Sequence, residues 1–369
     1  VNEDKLSAIS VHPLGFLLSG YLSPASRLTL ATEILRPRKK GGAEETIHAF
    51  VSRRFGSEFA DKVIDPLVAG LFMGDSRKLS INGAFPKLAA MEDKFGSITR
   101  GILQAKRGSE PGRRLYSWAG GMGEIPKALA SSLSGRIHTG TKVNKIIPTP
   151  NGFEVVTANA GTVKSKTIVL AVQPHVVAAF LEDIELEGAA AARDIAAPPI
   201  GVVFLGYRKE QVSHPLDGLG YLSTKSNNRI ISGAQFCSTM FEGRAPDGHV
   251  SISCYTGGAR NPELANIPEA ELVSLVTQEL SDLLGLRGKP VVVRTRRWDA
   301  GLPQYELGHK AREEVLLSTN HRLPGMFLTG NYLQGVSIAN CMESARFTAA
   351  QVRIALEKTS LSARISANA

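Results

Sequence analysis

A glycine-bearing loop, Gly330 to Gly335, runs into Val336, Ser337 and Ile338, and a small-residue helical pattern begins near Ile338. A helix that starts behind glycines presents unpaired backbone N–H groups and the positive end of its dipole, which suits a phosphate or the electron-rich edge of a reduced flavin. Glycines before a helix also serve tight turns, so the pattern by itself does not choose between a binding site and a bend. Other routes to chemistry have less support. His12, His48, His138, His175, His214, His249, His309 and His321 are scattered, with no convincing Ser-His-Asp, His-Glu-x-x-His or paired-carboxylate arrangement around them. Cys237, Cys254 and Cys341 lie far apart, without the paired spacing of a zinc site, a redox pair or a disulfide framework, and a reducing compartment fits them best. GGMG at Gly120 and GLG at Gly218 lack the third glycine and the strand-to-helix context of G-x-G-x-x-G, so no dinucleotide fingerprint is found.

The C-terminal loop must be held by a strand, Met326 to Thr329, and by the helix after it. Upstream, Glu44 to Phe72 has apolar residues at helical spacing: Ile47, Phe50, Val51 and Phe55 form one stripe, and Phe59, Val63, Leu67 and Leu71 a second. Gly56 and Ser57 read as a stop and an N-cap between the two runs, and Pro66 as a bend in the second. After the Gly- and Pro-containing loop 107–114 the chain becomes β-rich. Phe153 to Ala158 and Thr167 to Val172 read as a hairpin about the turn Asn159 to Gly161, and Val202 to Tyr207, Val250 to Tyr255 and Val291 to Trp298 as further strands. Leu272, Leu275, Val276, Leu280, Leu283 and Leu284 predict an amphipathic helix ended by Gly285.

The 369 residues, 43% hydrophobic and 21% charged, describe an ordinary globular chain, long enough for one large domain or for two to three smaller ones. A net charge of +9 suits an anionic membrane surface, an acidic substrate or nucleic acid, but aromatics are only 6% and the richest basic cluster, Arg36 to Lys40, is a short patch beside glycines. No nucleic-acid partner is expected. Leu6 to Ser26 lacks charged residues, yet His12, Pro13, Pro24 and five serines interrupt it, against a spanning helix; peripheral contact through Phe16, Leu17, Leu18 and Tyr21 stays open. With no signal-peptide pattern at the start, the expectation is a cytoplasmic chain at the inner membrane face.

The segment GMFLTGNYLQGVSIANCMESARFTAAQV resembles the C-terminal flavin signature shared by protoporphyrinogen oxidases and flavin amine oxidases. LVAGLFMGDSRKLSINGAFPKL from Leu67, YSWAGGMGEIPKAL from Tyr116 and GLPQYELGH from Gly301 are similar to protoporphyrinogen oxidase sequence, in that family's order. The resemblance implies an α+β or α/β architecture: a discontinuous Rossmann-like FAD-binding domain without its N-terminal unit, a substrate domain with a mixed or antiparallel sheet, and a helical, membrane-associated subdomain. The implied division is 1–12 as a substrate-domain strand, 13–112 helical, 113–174 and 301–369 as FAD-domain segments, and 175–300 as the substrate domain. It implies FAD as cofactor, a tetrapyrrole substrate, hydride transfer to the flavin with electrons passed to dioxygen, and a homodimer as one arrangement to test.

Residue by residue, Val143 in GTKVNKI matches the strand whose backbone meets the adenine, Trp298 lies near the isoalloxazine, and Gly330, Gly335, Val336, Ser337 and Ile338 match the flavin-contacting turn. DGLGYLSTKSNNRIISGAQFCSTMF resembles the part that lines the macrocycle, where Leu219, Leu222, Met240 and Phe241 are the wall residues; ordinary core packing uses the same residue types. Two departures stand out. The pyrophosphate turn is absent, and the expectation is a first βαβ unit upstream of Val1. Where many members carry a propionate-pairing arginine this chain has Ser7, and a hydroxyl does not replace a bidentate guanidinium. Competing expectations are a flavin oxidase of coproporphyrinogen, an amine or a polyene, and an FAD-free remnant that binds porphyrin or a partner.

Overall fold

The computed structural model describes residues 6, 7, 9, 16, 19–39, 41–105, 115–225 and 229–367. The loop 107–114, Leu17, Leu18 and His12 lie outside the described residues. The helices are α1 (Pro24–Ala31), α2 (Ile47–Phe55), α3 (Asp65–Phe72), α4 (Pro86–Phe95), α5 (Ile98–Ala105), α6 (Glu124–Ser132), α7 (Pro174–Leu181), α8 (Leu186–Arg193), α9 (Glu269–Leu284), α10 (His309–Leu317) and α11 (Ile338–Ala367). The strands are β1 (Val143–Thr149), β2 (Gly152–Thr157), β3 (Thr162–Ser165), β4 (Ile168–Leu170), β5 (Ile200–Arg208), β6 (Gly220–Leu222), β7 (Ile231–Phe236), β8 (His249–Gly257), β9 (Val292–Trp298) and β10 (Met326–Leu328).

The chain divides into two compact units, Val1–Arg113 with Ala197–Leu307, and Arg114–Ala196 with Gly308–Ala369. This division departs from the sequence boundaries at two places. Residues 175–196, expected in the substrate domain, fold with the second unit, and 301–307, expected in the FAD domain, fold with the first. The helical stretch, expected as a subdomain of its own, clusters with the sheet-bearing part of the first unit.

In the first unit a five-stranded sheet has the order β6-β7-β8-β5-β9, antiparallel throughout. Alternation along each strand sends Val203, Leu205, Tyr207, Tyr221, Ala234, Ile252 and Cys254 to one face, where α9 lays Leu272, Val276, Leu280 and Leu284 against them. Burying each of these leucines contributes about 1.5–3 kcal/mol. Gly285, at φ 63°, ends α9 as its position in the sequence predicts.

The helical part follows its predicted stripe only halfway. α2 buries Ile47, Phe50 and Val51, and the Thr46 hydroxyl accepts from the Ala49 amide at 3.1 Å to cap it. Gly56, at φ 95°, closes α2, but Ser57 is the first residue of a short turn rather than its cap. Ala60–Ile64 is then a π-helical turn, whose wider winding rotates everything after it. α3 therefore buries Val68, Ala69 and Phe72, while Leu67 and Leu71 from the expected stripe are 38% and 51% exposed. Beneath α2, the fully buried Arg54 guanidinium donates to the equally buried Glu33 carboxylate and to Glu92, and Arg53 bridges Glu92 and Glu45. Burial raises the Glu33 pKa, but hydrogen bonds from Ser97, Thr99 and Arg54 outweigh it and hold the carboxyl at about 2.

The second unit carries an antiparallel sheet β1-β2-β3 and a parallel pair, β10 with β4. The expected hairpin is corrected here: β2 turns at the predicted residues but pairs with Thr162–Ser165, while Ile168–Leu170 joins the parallel pair. Thr162 to Ser165 is too short and polar to stand out by alternation beside the more apolar run after it. α7, α8 and α10 bury Val177, Ala178, Leu181, Ala189, Ala192 and Leu316 against β4 and β10. Among the described residues no helix is long and apolar enough to cross a membrane.

A candidate flavin turn and an open sheet face

The C-terminal turn in the second unit is built by a chain of local constraints. β10 ends at Leu328, and the Thr329 hydroxyl lies 3.1 Å from that of Ser344, tying the strand to α11. Tyr332 and Leu333 are fully buried and anchor the loop in the core. Between them and the helix, Gln334 takes the left-handed conformation (φ 56°), and its amide donates to the buried Glu313 carboxylate of α10 at 2.7 Å. Gly335 follows at φ 121°, where a Cβ would come within 2.7 Å of the Asn340 side chain. Ser337 caps α11, its hydroxyl accepting from the Asn340 amide at 3.1 Å and its carbonyl from Cys341 at 2.9 Å. The amides of Ile338 and Ala339 have no hydrogen-bond acceptor among the described residues, and both residues are exposed. The first turn of a long helix thus presents donors and a positive dipole end to the surface.

Behind this turn His309 is 1% exposed, and burial pushes its imidazole down to about 4, against the pull of Glu313 beside it. The sequence reading singled out neither group for the turn. His309 closes the GLPQYELGH stretch and Glu313 follows one helical turn later, a spacing that would have placed both on one face of α10. Val143 opens β1 and packs half-buried on the core of the same unit. Trp298 is placed in the first unit, at the end of edge strand β9 and 40% exposed.

The four macrocycle-wall residues fall at two places in the first unit. Leu219 and the turn carrying Met240 and Phe241 gather at one end of β6, where the Phe236 amide donates to the Leu219 carbonyl and the Thr239 hydroxyl to Leu216. Leu222, at the other end of β6, packs beneath α3, so close that a Cβ on Gly70 would lie 2.5 Å from it. The stretches around Leu67 and Gly301 also meet. Gln304 donates to the Phe72 carbonyl at 3.0 Å, Tyr305 is buried and its carbonyl accepts from Ser80, and Leu79 bridges to Glu306. Asp65, buried in α3, accepts from Ser76 and pairs with Arg260 at 2.6 Å. These residues brace the unit.

The structure also assembles a Ser-His-Asp chain that the sequence pattern does not reveal: Ser52 lies 3.5 Å from His48 Nδ1, and His48 Nε2 2.8 Å from Asp61. Ser52 sits in mid-helix, where its neighbours' amides are committed to the helix, and Asp61 is shared with Arg77 at 2.6 Å. With Ser52 held in mid-helix and Asp61 shared with Arg77, this Ser52–His48–Asp61 contact serves to join α2 to the π-helical turn.

Residues 6–353 match the family described as flavin containing amine oxidoreductase, and the chain belongs to that family. The protoporphyrinogen oxidase of tobacco chloroplasts (Nicotiana tabacum) is 30% identical over 348 residues, covering 86% of this chain and 63% of the tobacco protein. The chain thus spans less than two thirds of that relative's length. Coproporphyrinogen III oxidase of Bacillus subtilis is 24% identical, covering 90% of this chain and 72% of the relative. A solved structure from Exiguobacterium sp. 255-15, provisionally named a protoporphyrinogen oxidase, superposes with a TM-score of 0.78 at 22% identity, covering 93% of this chain and 74% of that one, which shows a shared fold. The family's cofactor is a flavin, FAD. The residues present fit one end of it, through the capped, exposed first turn of α11, where Ile338 and Ala339 have amides with no acceptor among the described residues.

Proposed function

We propose that the chain carries the substrate sheet and C-terminal flavin turn of an FAD-dependent porphyrinogen oxidase, converting protoporphyrinogen IX to protoporphyrin IX with dioxygen as acceptor. The observation that carries this reading is the match to the tobacco protoporphyrinogen oxidase over 86% of the chain, at 30% identity. Bound FAD would supply the hydride acceptor and pass electrons to dioxygen. The chain's own residues hold and orient. The turn Gly330, Gly335, Val336, Ser337 and Ile338 sets helix-end donors against the flavin, with Glu313 fixing its backbone through the Gln334 amide. Val143 offers backbone to the adenine and Trp298 lies near the isoalloxazine. Leu219, Leu222, Met240 and Phe241 give the macrocycle an apolar wall and exclude water. Coproporphyrinogen III oxidation is the second reading, supported by the larger share of the Bacillus relative, 72%, that the chain covers.

The exposed Leu28, Leu35, Ile102 and Leu103 of the helical part support peripheral contact with the inner face of the cell membrane. A homodimer belongs to the same proposal and is checked by light scattering. The deciding experiment supplies protoporphyrinogen IX and coproporphyrinogen III to purified protein loaded with FAD and follows porphyrin fluorescence above autoxidation. Flavin-dependent porphyrin formation is the expected result. Protein that stays colourless with added FAD, or that leaves both porphyrinogens at the autoxidation rate, overturns the reading for this chain.

A further inference from the structure

The sheet of the first unit has a second face, turned away from α9. Register places Arg294, Phe204, Ser253 and Gln235 in one row across it, and Arg296, Val202, Tyr255 and Gly233 in the next. α3 covers the β6–β7 side through the Gly70–Leu222 contact. Val202, Phe204, Ser253 and Tyr255 are left half-buried, and Arg294, Arg296 and Trp298 exposed. The intervening residues of β9 point the other way, Thr295 bonding Glu269 and Arg297 the Ile267 carbonyl. Neither Arg294 nor Arg296 has an ion pair among the described residues. Arg294 donates only to the neighbouring Val293 carbonyl at 2.8 Å, and Arg296 stands 5.7 Å from the Trp298 ring centre.

Two guanidinium groups two residues apart on one strand rise from backbone positions about 6.6 Å apart. They border a half-apolar floor of Val202, Phe204 and Tyr255, an arrangement suited to a flat apolar ligand bearing two carboxylates on one edge. The macrocycle of the proposed reaction has that form, with propionates on neighbouring pyrroles, and Ser7 leaves the chain without the arginine expected to meet one of them. We infer that Arg294 and Arg296 are the propionate-recognising residues of this chain, holding the two carboxylates at the β9 edge of the open sheet face. This inference rests on the proposed porphyrinogen function and deepens it. Exposed charge on an edge strand also guards against pairing with another chain. That role predicts aggregation on its removal and no preference among ligands.

The test is a fluorescence titration of the purified chain with protoporphyrin IX and with its dimethyl ester, which keeps the ring and loses both charges. Wild type binds the diacid roughly tenfold or more tightly than the diester, as two charge-assisted contacts require. The R294Q/R296Q variant loses that preference through weaker diacid binding alone, with its melting temperature unchanged because both side chains are exposed. R294K/R296K retains part of it, and R287Q, an exposed arginine elsewhere, changes nothing. Equal losses for both porphyrins, undiminished diacid binding in R294Q/R296Q, aggregation of that variant with its ligand preference intact, or the same effect from R287Q overturns the assignment. A wild type that binds both porphyrins equally overturns the assignment alone; one that binds neither removes the porphyrinogen reading with it.

Discussion

The two units of this chain solve the problem of a stable interior differently. The first closes a five-stranded sheet on α9 and locks its helices around a buried Arg54–Glu33–Glu92 network. The second sets a three-stranded antiparallel sheet beside a two-stranded parallel pair, with Val169 and Val172 exposed, Leu129 and Leu133 open on and just after α6, and Ile338, Met342 and Phe347 open on α11. Parallel pairs ordinarily lie inside larger covered sheets. The contrast teaches that the first unit closes one broad sheet with a helix and leaves its exposed leucines on the helical part, whereas the second gathers its buried core around a narrow parallel pair.

This comparison breaks first at the charge network. Glu33→Gln leaves the Arg54 charge buried without its main partner, and chemical denaturation is expected to show a loss of about 3–5 kcal/mol confined to the first unit's transition. Next, Leu280→Ala, at the centre of the α9 interface, is expected to cost about 2–5 kcal/mol in the same transition. In the second unit the acid response is the probe. His309 ionises near 6.5 when unfolded but at about 4 when buried, so the unfolded chain takes the proton first. Stability is then undiminished above pH 6.5 and falls as pH drops from there toward 4, by about 3 kcal/mol, and His309→Gln flattens that slope in melting curves. The smallest effect is expected at Val169→Thr on the exposed parallel pair, within about 0.5 kcal/mol; a cost like that of Leu280→Ala would end the contrast.

Sequence periodicity carried the elements whose burial follows one regular pattern. α9, with its apolar residues at helical spacing and Gly285 behind it, is where the spacing puts it, as are β5, β8 and β9 and the start of α11 at Ile338. It failed where geometry departs from the ideal period. The π-helical turn shifted the face of α3, so Leu67 and Leu71 were expected inside and Val68 and Phe72 were not named. β6 and β7 were too short or too glycine-rich to announce themselves as strands. The candidate site was legible as a turn before a helix, but not its support. Glu313 acts through its contact with the Gln334 amide and His309 through its burial at the start of α10, and no local pattern encodes either. Arg294 and Arg296 gain meaning only once register shows which face of the sheet they occupy.

The parallel pair has one consequence for how the chain reaches this structure. Ile168 pairs with Met326, so the whole of β5 through β9 is inserted between two strands of one small sheet. Closing so long a loop before any contact compensates the lost chain entropy is slow, whereas a prefolded insertion brings its own ends together and shortens the effective loop. Formation of the five-stranded sheet is therefore expected to come first, and in refolding its signal should precede burial of Tyr332.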